Sequence, residues 1–512
     1  MNKFFNKRNI FIAGNTLLIG GYSYWIIQKN KDKSNNTSNK NNFYTYDEVK
    51  KHNKPNDTWI TYKDSVYNIS DFMDNHPGGK DKLMLAAGKA IDPYWNLYRQ
   101  HNKEIEETIL KPMKIGLLKD YKQDNTFNDP YINDPYRSND LYFHSSSPCN
   151  AETDITQIMD NWITPNELWY IRNHNPVPNI DANNFELEII DINNKTKLIS
   201  YDEITNLKKL KTEITATIQC GGNRRSELNI LQKTSGTPWK FGSISNAQWG
   251  GILLKDLFKY LNINTNDTNI KHIHFKSIDG VQVSIPIEKA LNSYGDVLLA
   301  YEMNGEVLSR DHGFPLRMIV PGYVGIRNIK WINSICLSDT EIEGTWQKGI
   351  SYKGVPHYIK NAKEINIENI QPIYETPIQS CIVNVIHDSD NNESDNNDNL
   401  IQGFAYSGGG RNIIRVDVSC DDGETWHMAE LLEGNKQTFN QAWAWTFWEY
   451  KFPKSLDKKK YICKAVDSSY NIQPNSNTHI WNTRGLLNNS YHYIDKDNNE
   501  PYLLSYNTLA LY

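Results

Sequence analysis

Residues 215–227 read TATIQCGGNRRSE. A run of alternating β-formers ends in Cys220, two glycines follow, and Arg224 and Arg225 stand side by side beyond them. A strand that stops at a cysteine, with a Gly-Gly turn and paired guanidiniums after it, has the makings of an anion-binding metal site. Thiolate is the ligating form of cysteine, and cationic neighbours favour it. Arginine is the side chain best shaped to hold an oxyanion with two parallel bonds. The competing reading is a buried free cysteine at a strand end with a solvated arginine pair. Composition alone favours that reading, because free cysteine is among the most buried residue types.

The 512 residues suit two to four domains. Hydrophobic content of 38% and charged content of 22% describe a globular chain, and 14 Trp with 30 Tyr imply large aromatic cores or cofactor pockets. A formal net charge of -5 leaves no electrostatic footprint for nucleic acid. The six cysteines (149, 220, 336, 381, 420 and 463) are widely spaced with no CxxC, which excludes a zinc ribbon and a disulfide scaffold as the organising device.

Lys3, Lys7 and Arg8 open the chain without an acid, and residues 10–27 are mostly apolar. A Lys/Asn/Ser-rich spacer runs to residue 42. A secretory signal, a single membrane anchor and a mitochondrial presequence with a hydrophobic sorting segment all fit this pattern.

From residue 43 the pattern becomes that of a folded domain. Thr45 and Glu48 have the spacing of a capping box, and DTWITYKDSVYNI (57–69) alternates like a hairpin turning at Lys63-Asp64. His76-Pro77-Gly78-Gly79 follows, and His101 lies 25 residues after His76 beyond a helical stretch at 82–87. Two neutral imidazoles facing across an apolar slot hold a six-coordinate haem iron for electron transfer. HPGG, LMLAAG and the second histidine resemble the cytochrome b5 family over about residues 43–118. That resemblance implies an α+β domain binding haem b, with His76 and His101 as axial ligands.

Residues 121–140 hold two Asp-Pro pairs and no periodicity, so they read as a linker. Residues 141–366 mix short strands, helices and Gly-rich loops. Within them RNHNPVP (172–178), CGGNRRSE (220–227), LAYEMNG (299–305), RDHGFPLR (310–317) and GIRNIKW (325–331) recur in one order. Each could be structural alone. Together they resemble the mixed α/β molybdenum-pterin domain shared by sulfite oxidases and eukaryotic nitrate reductases. The resemblance selects the functional reading of the opening stretch, with Cys220 giving molybdenum its one protein thiolate.

Carried over residue by residue, the resemblance implies that Tyr170, Ile171, Arg172, Asn173, His174, Asp279, His312, Arg317, Asn328, Ile329 and Lys330 hold the molybdopterin. It also implies that Arg172, Arg225, Tyr352 and Arg484 surround the substrate at Cys220, with Arg224 structural. Residues 367–512 are mostly short strands with an Asp422-Gly423 hairpin signal, the spacing of a β-sandwich. They resemble the family's immunoglobulin-like dimerisation domain. HDSDNNESDNNDN (387–399) reads as an exposed, Asn-rich acidic loop, and Cys381, Cys420 and Cys463 read as core thiols.

The expected architecture is therefore a multidomain α+β chain: a targeting segment and spacer (1–42), a haem domain (43–120), a linker (121–140), a molybdenum domain (141–366) and a dimerisation domain (367–512). The order of domains resembles sulfite oxidases. It implies oxidation of sulfite, transfer of electrons through the haem to cytochrome c, a homodimer, and the mitochondrial intermembrane space, with a retained N-terminal membrane anchor still open. A nitrate reductase-like molybdoenzyme is the near alternative, but in those enzymes the haem domain follows the dimerisation domain and a flavin module comes after. A non-enzymatic haem carrier is the alternative of another class.

Overall fold

The computed structural model describes residues 42–495, apart from 77–79, 85, 98–100, 102–104, 120, 122–128, 360–365, 388–397 and 457–459. The targeting segment, the prolyl-diglycine of HPGG, the middle of the linker and most of the acidic insertion lie outside the described residues. The chain divides after Ile132 into two compact units.

In the first unit, β1 (Phe43–Tyr44), β2 (Asn53–Lys54), β3 (Asp57–Tyr62), β4 (Ser65–Asn68) and β5 (Lys114–Leu118) form one sheet in the order β1-β5-β4-β3-β2. The capping box is present. The Thr45 hydroxyl accepts from the Glu48 N–H, and the Glu48 carboxylate accepts from the Thr45 N–H at 2.7 Å, which starts the helix Tyr46–Val49. The β3–β4 hairpin turns at Lys63-Asp64 as the alternation requires, with Lys63 at φ 53°. Ile60, Tyr62, Ile69, Phe72, Met73, Ile91 and Leu110 form one buried core. The helix expected over 82–87 starts and stops earlier, at Lys80–Met84.

The second unit opens with β6 (Leu141–Ser146), β7 (Cys149–Thr153) and β8 (Ile171–Arg172), a three-stranded antiparallel sheet. Next come β9 (Glu186–Ile190), β10 (Thr196–Ser200), β11 (Lys211–Gln219), β12 (Ile244–Leu253), β13 (His272–Ser277), β14 (Gln282–Pro286), β15 (Leu298–Met303), β16 (Glu306–Val307), β17 (Arg317–Ile319) and β18 (Ile332–Ser338). They make two five-stranded sheets: β10-β9-β18-β13-β14, and β11-β12-β15-β16 with β17 paired to β15. The helix expected from Ile252 begins at Leu254, because β12 continues to Leu253. Its ladder to β15 shifts register between Gly250 and Gly251. A Cβ on Gly251 would lie 2.1 Å from the Leu299 carbonyl oxygen, so only glycine fits there.

Eight more strands follow: β19 (Gln379–Ile386), β20 (Asp398–Tyr406), β21 (Ile413–Ser419), β22 (His427–Met428), β23 (Glu430–Leu431), β24 (Thr446–Pro453), β25 (Lys460–Asp467) and β26 (His492–Asp495). They form two four-stranded sheets, β19-β20-β24-β23 and β22-β21-β25-β26. Ile382, Ile401 and Trp448 of the first pack with Val416, Val418, Cys463 and Ala465 of the second, which is the shared core of a sandwich. Cys381, Cys420 and Cys463 are buried and unbridged, as expected of core thiols.

The sandwich is fused to what precedes it. Phe241 and Ile244 share a core with Phe404, Tyr406, Trp445 and Phe447, and each large apolar side chain so buried stabilises by about 1.5–3 kcal/mol. The Thr217 N–H donates to the Trp443 carbonyl at 2.9 Å, and the Leu487 N–H to the Gly221 carbonyl at 2.8 Å. The segment around Leu487 thus passes directly over the end of β11, where Cys220 lies.

Candidate functional site

Cys220 follows the last residue of β11, and its N–H donates to the Ser243 carbonyl at 2.9 Å. The turn behind it is tied by Asn223, whose side-chain oxygen accepts from the Ser243 hydroxyl at 2.9 Å. Arg224 then adopts a left-handed conformation, φ 62°, and the helix Arg225–Leu231 begins. Such a conformation costs a non-glycine residue about 1–2 kcal/mol. It is offset here by a fully buried, bidentate pair: Arg224 Nε and Nη2 donate to the two Glu227 carboxylate oxygens, each at 2.8 Å. Arg224 also donates to the Ser490 carbonyl at 2.7 Å and the Tyr491 carbonyl at 3.1 Å. It is a structural cation, as expected.

Arg225 has a different environment. Its Nε donates to the Gly485 carbonyl at 3.0 Å and its Nη1 to the Thr237 carbonyl at 2.6 Å. Three glycines make room for it: a Cβ on Gly222 would lie 2.5 Å from the guanidinium, one on Gly236 2.8 Å and one on Gly485 2.7 Å from the side chain. Burial pulls its pKa down to about 10, against the opposing pull of Cys220 and then Tyr352. Tyr352 is buried and raised in turn, by burial first and then by Cys220, so its hydroxyl stays protonated. Arg172 and Arg484 act on both groups. Of the five residues expected around the substrate, Arg225 and Tyr352 therefore each lie within electrostatic reach of the other four. Arg484 donates to the Ser235 hydroxyl at 2.8 Å while its Nε is buried without a partner.

Beside Cys220 opens a cavity enclosing about 670 Å³ of atom-free space, its mouth included. Tyr170, Arg172, His174, Cys220, Asp279, His312, Arg317, Asn328, Ile329, Lys330 and Tyr352 line it. Alternation along an extended segment divides the five-residue stretch 170–174. Tyr170, Arg172 and His174 face the cavity. Ile171 packs away from it with Leu141, Cys149 and Ala151. Asn173 sits one layer behind, where its amide donates to the Asp311 carboxylate at 2.8 Å and its oxygen accepts from Lys330.

The cavity's cations are held by neutral oxygens. Arg317 donates to the carbonyls of His312 at 3.0 Å and Asn328 at 3.2 Å, its Nε is buried without a partner, and burial lowers it to about 10. Lys330 donates to the Asp311 carbonyl at 2.8 Å and is lowered by burial to about 7. His312 is lowered by burial to about 4, and its Nε2 lies 2.9 Å from the Asn166 carbonyl. That neighbour makes Nε2 the protonated nitrogen and leaves Nδ1 as an acceptor. Arg317 and Lys330 are donors with unspent capacity, the fit that a phosphate-bearing pterin requires, while neutral His312 keeps only an acceptor nitrogen. The Asn328 amide differs: it donates to the Tyr323 and Val324 carbonyls, each at 3.2 Å, and accepts from the Val320 N–H at 2.7 Å. Its side chain is spent on the loop. Asp279 likewise accepts from Ser277 and from the Val281 N–H at 3.2 Å, which closes the β13–β14 turn.

Three residues with a place in this site were not singled out by the motifs. Trp239 is fully buried with an unpartnered indole N–H, in the same core as Cys220. Asn150 accepts from Arg172 at 2.7 Å. Arg137, in the stretch expected to be linker, makes a bidentate pair with Asp311 at 2.8 and 3.0 Å and reaches Asp134 at 2.9 Å. Residues 133–140 thus pack as part of the second unit.

In the first unit, the rings of His76 and His101 face each other with centroids 6.2 Å apart and planes at 32°. Two imidazole–metal bonds of about 2 Å, with the ring radii added, need roughly this spacing. Trp95 stacks on His101 at 4.8 Å, and Phe72 meets His76 edge-on at 6.0 Å. The residues fit an iron held between two imidazoles in an apolar slot.

Three family models match the chain: a cytochrome b5-like haem/steroid-binding domain over 45–119, an oxidoreductase molybdopterin-binding domain over 174–346 and a Mo-co oxidoreductase dimerisation domain over 370–498. Mitochondrial sulfite oxidase of Homo sapiens is 39% identical over 462 residues, covering 88% of this chain and 83% of that one. The Drosophila melanogaster counterpart is 40% identical over 465 residues, with 88% and 80% covered. A nitrate reductase of Phaseolus vulgaris is more distant, 30% identical over 425 residues and covered over 45% of its length. The fold resembles the sulfane dehydrogenase SoxCD of Paracoccus pantotrophus, with a TM-score of 0.56 at 23% identity over 69% of this chain and 86% of that one.

Proposed function

The chain belongs to the sulfite oxidase family, and from that premise we propose that it oxidises sulfite to sulfate beside Cys220 and delivers the electrons singly through a b-type haem to cytochrome c. The observation that carries the reading is that Arg225 and Tyr352 each lie within electrostatic reach of Cys220, Arg172 and Arg484, with Arg172, Cys220 and Tyr352 on the wall of one cavity. Among the described residues no carboxylate is paired to any of the three arginines.

When bound, molybdopterin supplies a two-electron acceptor and the haem a one-electron relay. The protein's own residues do the rest. Cys220 ligates the molybdenum. His76 and His101 ligate the haem iron. Arg317, Lys330, His312, His174 and Tyr170 hold the pterin and its phosphate, with the Asn328–Ile329 backbone shaping their wall and Asn173 setting Lys330. Arg172, Arg225 and Arg484 draw in the sulfite dianion and orient it, preorganised positive charge costing no rearrangement during reaction. Tyr352 keeps its proton and would donate a hydrogen bond to a substrate oxygen.

The dimerisation domain pairs two copies of the chain. The names of the mitochondrial relatives favour a mitochondrial protein. Acid-free Lys3, Lys7 and Arg8 followed by the apolar residues 10–27 support sorting to the intermembrane space. Among the described residues no helix is long and apolar enough to cross a membrane.

Stopped-flow mixing of the purified holoprotein with sulfite tests the function. Haem reduction by sulfite, with none from NADH and no reoxidation by nitrate, is expected. Molybdenum present with no haem reduction sinks the reading, and haem without molybdenum returns the chain to a simple electron carrier.

A further inference from the structure

We infer that Asn150 is the positioning residue for Arg172, and that it must be uncharged to do its work. It fixes the guanidinium while leaving the whole positive charge to the anionic substrate. The inference deepens the proposed function and rests on Arg172 being a sulfite ligand.

Asn150 on β7 stands directly opposite Arg172 on β8, where facing side chains lie within reach of each other. It is buried, 5% exposed. Its Nδ2 donates to the Ser145 hydroxyl at 2.9 Å and to the Pro148 carbonyl at 3.0 Å. Both partners accept, and the Ser145 hydroxyl spends its own proton on the Pro148 carbonyl at 2.8 Å. The amide can therefore sit only one way round, with Oδ1 accepting from Arg172 Nη1 at 2.7 Å. The same Nη1 reaches the Asn173 carbonyl at 2.7 Å. Two neutral oxygens on one nitrogen pin the group at a single corner.

Carboxylates close to this strand pair are spent elsewhere. Glu152, two residues along β7, pairs with His144 at 2.9 Å and accepts from the Lys240 and Gly242 N–H groups at 3.1 and 3.2 Å. Asp311 is taken by Arg137 and Asn173. An aspartate at position 150 would keep the shape and hold Arg172 tighter. It would also cancel the charge the substrate needs and set a carboxylate oxygen against the Pro148 carbonyl. Alanine would do the reverse, keeping the charge and losing the hold. The two substitutions separate fixation from neutrality.

The test is made on oxidised holoprotein with molybdenum and haem content measured. Sulfate, a dianion at neutral pH, is titrated by calorimetry, and sulfite KM and kcat are measured alongside. Asn150→Asp is expected to weaken sulfate about tenfold to a hundredfold, the worth of a hydrogen bond to a charged group. Asn150→Ala is expected to weaken it less, and in both KM moves more than kcat at unchanged molybdenum content. An aspartate variant that binds sulfate as wild type does overturns the charge argument. An alanine variant with unchanged sulfate affinity overturns the positioning argument. Loss of molybdenum from both variants makes the residue a structural one and overturns both. Wild-type protein that binds sulfate but does not oxidise sulfite would sink the proposed reaction while leaving the role of Asn150 readable from sulfate alone.

Discussion

Two regions of the second unit are built from arginine in opposite ways. Behind the cavity, Arg224 and Arg137 are buried against carboxylates: Glu227 takes one with two bonds, and Asp311 and Asp134 take the other. At the cavity and around its Tyr352, Arg172, Arg317, Arg225 and Arg484 are held by carbonyls, a hydroxyl and an amide oxygen. The pairing is not a matter of distance along the chain, since Arg224 and Arg225 are adjacent. A carboxylate spends a guanidinium's charge on the fold, whereas a neutral oxygen fixes its direction and leaves the charge free. The cost is an uncompensated buried cation, tolerated because an anionic cofactor or substrate completes it.

Exchanging the members of the adjacent pair should give opposite results. Arg224→Met leaves Glu227 buried and unpaired, and the expected loss is about 3–5 kcal/mol of stability, read from the denaturant midpoint. Arg224→Met with Glu227→Met should recover much of that loss, because an apolar pair can replace a buried ion pair. Recovery of nothing would mean that the bonds to the Ser490 and Tyr491 carbonyls, not the ion pair, hold the C-terminal segment.

Arg225→Met is the converse. Sulfite kcat/KM should fall about 10²–10³-fold, as when one preorganised donor is removed, while the unfolding midpoint holds or rises. A fall in stability matching that of the Arg224 variant would erase the distinction between the two regions.

A finer test leaves both arginines in place. Gly222→Ala puts a methyl 2.5 Å from the far end of the Arg225 side chain, which can swing away without moving backbone. Gly222 is not among the glycines of positive φ, so alanine brings no backbone strain. The expected outcome is a sulfite KM raised about tenfold with an unfolding midpoint within error of wild type. Unchanged KM would show that the guanidinium's placement is not what the substrate reads.

What the sequence made legible follows from this division. The sandwich strands, the hairpin at Lys63 and the strand that ends just before Cys220 are carried by local pattern, and the structure reproduces them, whereas the fold class of the molybdenum domain and the role of Cys220 were carried by family motifs. The wall of the cavity was legible only to the level of motifs. Within 170–174 a two-residue period decides that Arg172 faces the cavity and Ile171 the core, and a family motif does not carry that period. Asn328 lies inside a cofactor motif, yet its amide is consumed by its own loop. Gly236 and Gly485 have positive φ and leave room for Arg225, Gly485 for Thr234 as well, and Gly485 lies 260 residues away from Arg225, a relation no local pattern can show. Arg137 sat in a stretch with no periodicity, because a segment held by one ion-pair network needs none.

The smallest effect concerns Lys330, the cavity cation whose charge is itself conditional. Arg225 and Arg317, even lowered by burial to about 10, keep their protons at neutral pH, so neutral acceptors cost them no charge there. Lysine can give up its proton. In the cofactor-free protein burial lowers Lys330 to about 7, against an ordinary value of about 10.4. Between those values the unfolded chain carries a proton that the folded chain lacks, so stability rises with pH across that window and is flat below it. Cofactor-free protein should therefore gain about a few degrees in melting temperature from pH 7 to 9.5 relative to Lys330→Met, measured side by side so that other titrating groups cancel. A bound phosphate restores the proton to Lys330, and in the holoprotein the same comparison should show almost no slope. A slope that persists with cofactor bound would move Lys330 from the cavity group to the paired group, with Asp311 or Asp279 as its true counter-ion.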